Sequence, residues 1–379
     1  MSARIAGMGA VCSVGGTVAE TFDALCAGRS GLRPLVGFDP SRYRARSAYE
    51  VADRAPGTDL PYRATHLLET AIAEAVRQAG IGDDLAAVPV LVGTGLRELR
   101  SVELWWRDGL GVDATRLHFG TALRERFGAT DVHTVANACS ASLHTLALGA
   151  DLIDADEADT VVVAGVDVLT ESMFGLLDRF NQEPPDRVRP FDRNRRGVLM
   201  GDGAAAVVLR RDRDGDEPAP LVRLRAVGLN CDATHVTAPD PRGIAAAITQ
   251  AHRAAGLKAA DVDLVLLHGT GTVLNDDAES AAMTAAFGEH VGSPVMTAIK
   301  SMTGHTSGAS GLLGVVVATE SLRSGLVPPT PGLDDPAEPA LSFRFAGGAA
   351  QRPVAMSVAQ VNAFGFGGVN AVAILERRP

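Results

Sequence analysis

An α/β fold built from two fused halves is the architecture this sequence predicts, and three features predict it. Short apolar runs alternate with amphipathic stretches in the same order twice along the chain, the pattern of buried sheets with helices on both faces. A polar stretch with Pro and Gly, Arg211 to Pro220, separates the two series. Aromatic residues make up only 4% of the chain while Gly (41) and Ala are abundant, which suits helices packed closely on sheets. The predicted halves are residues 1–212 and 213–379, and a hydrophobic content of 46% is enough to give the chain a large core.

In the first half, Arg4 to Val14 reads as a strand followed by a turn at Gly15 and Gly16. Gly7-Met-Gly9 supplies only part of a dinucleotide fingerprint, and with the third glycine missing NAD is not expected. Thr17 to Ala27 is a short helix. Residues 29 to 63 are polar, Arg-rich and irregular, and read as a surface excursion. His66 to Ala79 is an amphipathic helix, and Val88 to Val92 a buried strand ending in Gly93-Thr-Gly95. Leu96 to Asp113 is ambiguous. It carries both tryptophans, Trp105 and Trp106, as a helix that packs one indole and exposes the other, or as a lid or pocket wall. Thr115 to Phe127 reads as a helix and Asp131 to Ala136 as a strand. A helix follows Cys139 as far as Asp151, and a strand covers Thr160 to Gly165. Leu176 to Asn194 reads as a long loop, with Arg187, Arg189, Arg193, Arg195 and Arg196 in or just after it. It runs through Arg189-Pro-Phe-Asp192 into Gly197 to Gly203, which places it near the site. Ala204 to Arg210 is a strand.

The second half repeats the order. Leu221 to Gly228 is a strand, Pro241 to Ala255 a helix, and Val262 to Leu267 a strand that ends at His268. Asp276 to Phe287 is a helix and Pro294 to Ile299 a strand. Another helix starts in Gly304-His-Thr-Ser-Gly-Ala and runs to Ser324. Val354 to Asn362 and Asn370 to Glu376 are the last strands, separated by Phe364-Gly-Phe-Gly-Gly368. Cys139 follows the third strand of its half and His305 lies a few residues past the third strand of the other. That equivalence predicts a duplicated unit whose two corners converge.

Net charge is -10 with an isoelectric point near 5.4, so a nucleic-acid backbone is not an expected partner. Cys12, Cys26, Cys139 and Cys231 are too widely spaced for a zinc site or a disulfide scaffold. The N-terminus lacks the basic-then-apolar pattern of a signal peptide, and no apolar run reaches 18 residues, so a cytoplasmic protein without a membrane span is expected.

The stretch Val132-His-Thr-Val-Ala-Asn-Ala-Cys139-Ser-Ala-Ser-Leu-His144 organises the rest. It reads as strand, tight turn, helix, with the thiol at the turn. Free amides at a helix start favour an anion, which predicts a lowered thiol pKa and an accessible sulfur. The other reading is a buried, inert cysteine. His268, in Leu267-His-Gly-Thr-Gly-Thr272, and His305, in Lys300-Ser-Met-Thr-Gly-His305-Thr-Ser-Gly308, stand at strand–turn–helix corners, where open α/β sheets place ligands. A thiolate and two imidazoles suit acyl transfer: one group attacks while the others stabilise an oxyanion or move a proton. The same three could bind zinc, but no short-spaced ligand pair nucleates a metal site, and neither metal nor cofactor is expected. No G-x-S-x-G elbow or P-loop competes.

Five segments together resemble the β-ketoacyl-acyl carrier protein synthases, the type II condensing enzymes of the thiolase fold. They are Asn137-Ala-Cys139-Ser, Phe191-Asp192 with Gly197 to Ala204, His268-Gly-Thr270 with Asp276 and Glu279, Lys300 with Gly304 and His305, and Asn362 through Asn370. The resemblance covers nearly the whole chain and implies two duplicated α/β halves in a layered α-β-α-β-α arrangement. It implies that Cys139 takes an acyl group from a carrier thioester, and that His268 and His305, both neutral, each give an Nε2–H to the thioester carbonyl during malonyl decarboxylation. It implies an oxyanion hole from the backbone N–H groups of Cys139 and Phe364, and an acyl gate at Phe366. Lys300 and Glu279 match a supporting ion pair, with Asp192 in the same outer shell. The implied partners are an acyl carrier protein bearing acyl and malonyl phosphopantetheine thioesters and a second copy of the chain, joined through the edge strand Asp131 to Ala136; a heterodimer with a homologous subunit is the variant. The setting implied is fatty acid, polyketide or polyene-type biosynthesis. Two further readings stand beside condensation: transfer of the Cys139-bound acyl group to an amine, alcohol or water, and a weakly active subunit of a ketosynthase heterodimer, against which the intact Cys-His-His set argues. The chain departs from the family in being short, in a reduced segment from 96 to 130, and in residues 29 to 63.

Overall fold

The structure, a computed structural model, describes residues 3–55, 58–181, 183–212, 221–353 and 355–378. The first half runs β1 (Ala3–Cys12), α1 (Val18–Cys26), the two-residue strands β2 (Arg33–Pro34) and β3 (Ser47–Ala48), α2 (Arg63–Ala79), β4 (Val90–Thr94) and α3 (Leu99–Asp108). It continues through α4 (Phe119–Phe127), β5 (Val132–Ala136), α5 (Ala141–Asp154), β6 (Thr160–Asp167), α6 (Glu171–Phe180) and β7 (Gly203–Arg211). The second half runs β8 (Leu221–Cys231), α7 (Pro241–Ala255), β9 (Leu264–Leu266), α8 (Val273–Phe287), β10 (Val295–Thr297) and α9 (Lys300–Thr303). α10 (Ser310–Ser324), β11 (Arg344–Phe345), β12 (Val358–Gly365) and β13 (Val369–Arg378) complete it.

Eleven strands join in the order β11-β10-β9-β12-β13-β8-β1-β7-β6-β4-β5. The order β1-β7-β6-β4-β5 is repeated as β8-β13-β12-β9-β10, so the duplication expected from the sequence is present in the topology. The halves meet where β1 pairs antiparallel with β8, Ala3 opposite Leu224 and Arg4 opposite Arg223. Residues 213–220, most of the stretch expected to divide the halves, lie outside the described residues.

Alternation along the strands builds the layers. In β7, Ala205, Val207 and Leu209 enter a central core with α5 and α10, while Ala204, Ala206 and Val208 face an outer core with α2 and α4. In the second half the outer face packs on α7 and α8. The arrangement is helix, sheet, paired helices, sheet, helix. Glycines at β1 serve this packing: a Cβ at Gly9 would lie 1.9 Å from the Ala71 carbonyl oxygen, and one at Gly7 2.2 Å from that of Ala75. The Gly7-Met-Gly9 pair is therefore a seat for α2.

Three expectations are corrected. Residues 29 to 63 are not a surface excursion: Leu35, Phe38, Ala48 and Tyr49 are buried in a small core with Phe174, Val188 and Leu199, and Glu50 is buried beside them. The long loop from Leu176 begins inside a helix, α6. The ambiguous segment holds α3, and neither tryptophan packs, Trp105 being 55% and Trp106 81% exposed. The expected edge strand does lie at one end of the sheet, as β5.

Candidate active site

Cys139 sits where β5 stops. Ala138 takes a left-handed conformation (φ 49°), a single 3-10 turn covers Ala138 to Ser140, and α5 starts at Ala141. For a residue with a Cβ such a conformation costs of order 1–3 kcal/mol and persists only where the surroundings fix it. Here it lifts the sulfur off the strand end toward the second half.

His305 occupies the equivalent corner after β10. α9 ends at Gly304 (φ 68°), where a Cβ would lie 2.5 Å from the Tyr49 ring. The backbone is then stitched to the first half: the His305 amide donates to the Leu199 carbonyl (2.9 Å), and the Gly201 amide to that of His305 (3.0 Å). His305 Nε2 lies 3.0 Å from Cys139 Sγ, and its Nδ1 lies 3.0 Å from Ser310 Oγ. Asp167, at the end of β6, ties both corners together. Its buried carboxylate accepts from Thr94 Oγ1 (2.7 Å) and from the amides of Gly95 (2.7 Å), Leu96 (2.8 Å) and Gly308 (2.6 Å). Sequence reasoning passed over Asp167; its one signal was an acidic residue closing an otherwise apolar strand.

His268 completes the group, its ring centroid 5.4 Å from that of His305. Glu279 on α8 accepts from the amides of His268 (2.8 Å) and Gly269 (2.9 Å). Lys300 Nζ donates to the His268 carbonyl and lies 3.4 Å from Nδ1 of the ring, as does the Phe364 amide. With two donors facing Nδ1, the ring proton is assigned to Nε2. Lys300 and Glu279 therefore do not pair with each other, as had been expected, but hold His268 from two sides. Glu279 also ends a buried chain that no motif indicated. His252 Nε2 lies 2.7 Å from Gln360 Oε1, Gln360 Nε2 donates to Asn362 Oδ1 (2.8 Å), and Asn362 Nδ2 donates to Glu279 Oε1 (3.0 Å).

Burial dominates the electrostatics. It pushes the Cys139 thiol up to about 11, against the pull of Lys300 and of the Cys139 and Phe366 amides. The expectation of a lowered thiol pKa is thus corrected: desolvation outweighs the field of a helix that starts two residues later. Burial, reinforced by Lys300, holds both histidines well below their ordinary value, so both are neutral. It also lowers Lys300 to about 8, against Glu279, and raises Asp276 to about 7, against its bond from the Phe191 amide. Among the described residues no group of three His, Cys, Asp or Glu side chains is placed to hold a metal ion.

A cavity of about 630 Å³ opens on Cys139, His268 and His305. Met173, Leu177 and Phe180 of α6 wall it at i, i+4 and i+7 spacing, with Leu96, Val198 and Met200 beside them and Thr270 and Thr272 across. Comparison with known proteins identifies the fold. The profile of the beta-ketoacyl synthase N-terminal domain matches residues 3–215, and that of the beta-ketoacyl synthase C-terminal domain matches residues 221–334. The chain belongs to the β-ketoacyl synthase family. It is a condensing enzyme with the thiolase fold. The tetracenomycin polyketide synthase ketoacyl synthase alpha subunit of Streptomyces glaucescens is 31% identical, over 98% of this chain and 96% of its own. The 3-oxoacyl-[acyl-carrier-protein] synthase 2 of Coxiella burnetii is 29% identical, over 98% of both. A solved structure described as the ishigamide ketosynthase/chain length factor superposes with a TM-score of 0.89 at 31% identity, over 100% of this chain and 99% of the other.

The remaining expected residues of the ketosynthase fall as follows. Phe366 stands at the cavity rim, 48% exposed. Phe364 is buried, and its amide faces His268 Nδ1, while the Phe366 amide opposes the effect of burial on the Cys139 thiol. Asp192 is buried but touches neither histidine, accepting instead from the amides of Asn194 (2.8 Å), Asp334 (2.9 Å) and Asp335 (2.8 Å). Arg195 and Arg196 reach the cavity, paired with Asp277 and Glu183. Neither Trp105 nor Trp106 lines it.

Proposed function

We propose that this ketosynthase condenses an acyl group held on Cys139 with a malonyl thioester, both delivered by an acyl carrier protein, and that it acts as a 3-oxoacyl-[acyl-carrier-protein] synthase in fatty acid or polyketide assembly. The observation that carries the reading is the 3.0 Å contact between Cys139 Sγ and His305 Nε2 with His268 beside it. In the first step the sulfur attacks the acyl carbonyl carbon. The bond to the carrier's pantetheine sulfur breaks, and the Cys139 proton passes through His305 Nε2 to the departing thiolate. In the second, the malonyl carboxylate leaves as CO2 and its bonding pair forms an enolate, whose oxygen is held by Nε2–H of His268 and His305. The enolate carbon attacks the acyl-Cys139 carbonyl, the carbon–sulfur bond breaks, and the Cys139 thiolate takes one proton from solvent. The Cys139 and Phe366 amides hold the oxyanion on the Cys139 side. Removing one such donor costs about 10²–10³ in rate.

Support for the carrier comes from the relatives whose names include it, and for a second subunit from the free edge of β5 and the ketosynthase/chain length factor pairing of a similar structure. The four cysteines are free, which favours a reducing, cytoplasmic setting. No helix among the described residues is long and apolar enough to cross a membrane.

Incubation with acyl-carrier and malonyl-carrier proteins, read by intact mass, tests the reading. The expected result is CO2 release with a carrier adduct two carbons longer, and no acyl adduct on Cys139→Ala. Acyl transfer to an amine, an alcohol or water without CO2 would assign a different reaction. A persistent adduct on Cys139→Ala would remove Cys139 as the acyl carrier.

A further inference from the structure

His305 is asked for opposite things in the two steps. Facing the thiol, its Nε2 must accept a proton, so a neutral ring carries its hydrogen on Nδ1. Facing the malonyl enolate, Nε2 must donate, so the hydrogen has to be on Nε2. The neutral ring thus works in both tautomers, and each places a different demand on whatever sits at Nδ1. A backbone amide there could only donate and a carbonyl could only accept; either would lock one tautomer.

What sits there is a hydroxyl, Ser310 Oγ, at 3.0 Å. A hydroxyl donates or accepts by rotating. A second hydroxyl stands behind it, Thr306 Oγ1, 3.1 Å from Ser310 Oγ. When Nδ1–H donates to Ser310, the Ser310 hydrogen turns to Thr306. When Nδ1 is bare, the Ser310 hydrogen turns to the ring and Thr306 donates to Ser310. In both arrangements His305 Nδ1 and Ser310 Oγ keep their hydrogen bond, so neither tautomer leaves the ring nitrogen unpaired. His268 presents the contrasting case. Its Nδ1 faces only donors, from Lys300 and Phe364, and it is held as a permanent Nε2–H donor.

We propose that Ser310, backed by Thr306, is a positioning residue that lets His305 change tautomer between acylation of Cys139 and decarboxylation of the malonyl thioester. This rests on the condensing role of His305 set out above. The tautomer change conserves protons: the hydrogen leaves Nδ1 and one is taken up on Nε2, by exchange with water in the open cavity.

The test separates the two steps. Acylation is timed by intact mass with an acyl thioester. Decarboxylation is timed as CO2 release when malonyl thioester is added to protein already fully acylated at Cys139. In Ser310→Ala the Nδ1–H tautomer buries an unpaired donor, so the ring shifts to Nε2–H. The ratio of the acylation rate to the decarboxylation rate then falls about tenfold. Ser310→Thr, which keeps the hydroxyl, restores the ratio. Thr306→Val, a second and milder route, moves it in the same direction. Equal slowing of both steps in Ser310→Ala, or an unchanged ratio in both Ser310→Ala and Thr306→Val, overturns the proposal while leaving the condensing role intact. Absence of CO2 release from acylated wild-type protein overturns the condensing role itself, and the proposal with it.

Discussion

Cys139 shows how far a residue's surroundings can depart from what its neighbours in sequence suggest. The turn and helix start promise an acidified thiol, yet burial carries it up to about 11, and Asp167 nearby adds to the rise. A thiol whose pKa is raised is protonated at neutral pH, and its thiolate fraction grows with each pH unit. Alkylation of Cys139 by iodoacetamide should therefore quicken about tenfold per unit from pH 7 to pH 10, followed by peptide mass spectrometry. A rate that levels off below pH 8 would show a thiolate already formed. Under the proposed function, His305 at 3.0 Å is the group that takes the thiol proton when the sulfur attacks. Cys139, His268 and His305 were legible because each stands at a strand–turn–helix corner, the histidines beside glycines and the cysteine among small residues. Asp167, His252 and Gln360 were not, because each acts through partners distant in sequence: Asp167 through Gly308, and His252 through Gln360, Asn362 and Glu279.

Among the elements, α6 decides the width of the cavity. Met173, Leu177 and Phe180 face the cavity, while Phe174 packs edge-on against Phe38 (5.4 Å) and Tyr43 (5.1 Å). Its ends are clamped. Glu103 of α3 accepts from the amides of Glu171 (2.9 Å) and Ser172 (2.8 Å) and from Ser172 Oγ (2.6 Å), and Asp178 accepts from the amides of Arg44 (3.0 Å) and Ala45 (2.8 Å). Glu103→Gln leaves one acceptor oxygen for these three donors. It should cost about 0.5–2 kcal/mol of stability and broaden the range of acyl lengths loaded onto Cys139, read by thermal denaturation and by mass spectrometry with a series of acyl thioesters. An unchanged acyl range in a destabilised variant would separate the clamp from selectivity. The sequence left this region as loop and surface for a physical reason. Arg54, Glu50, Asp59 and Arg100 look like solvated charges in a linear reading, but they pair with one another out of solvent, with Arg100 only 1% exposed. Such pairing is set by tertiary contacts, and no local pattern announces it.

At the scale of the molecule the repeated strand order was legible from the alternation of apolar runs, since the central strands are buried on both faces. The free side of β5 is its consequence: among the described residues one half ends the sheet on a five-residue strand with no neighbour beyond it, while the other half adds β11. Unpaired strand edges invite pairing. A Thr134→Pro variant takes one amide out of β5 and stiffens it, and should lose self-association and condensing activity together, measured by light scattering coupled to size exclusion. A wild-type chain that is fully active as a 39.3 kDa monomer would refute this role for β5. Restoration of activity by a homologous subunit, with the wild type otherwise monomeric, would assign the edge to a heterodimer.

The sulfur comes from the corner after β5 and the imidazole that serves it from the matching corner after β10, one from each copy of the repeat. Their 3.0 Å separation is therefore also a measure of how the two copies are docked. A slight shear between them would lengthen that contact while leaving each copy's own hydrophobic packing intact. A substitution that resets the angle of one corner therefore acts on the other as well, across the joint between the two copies.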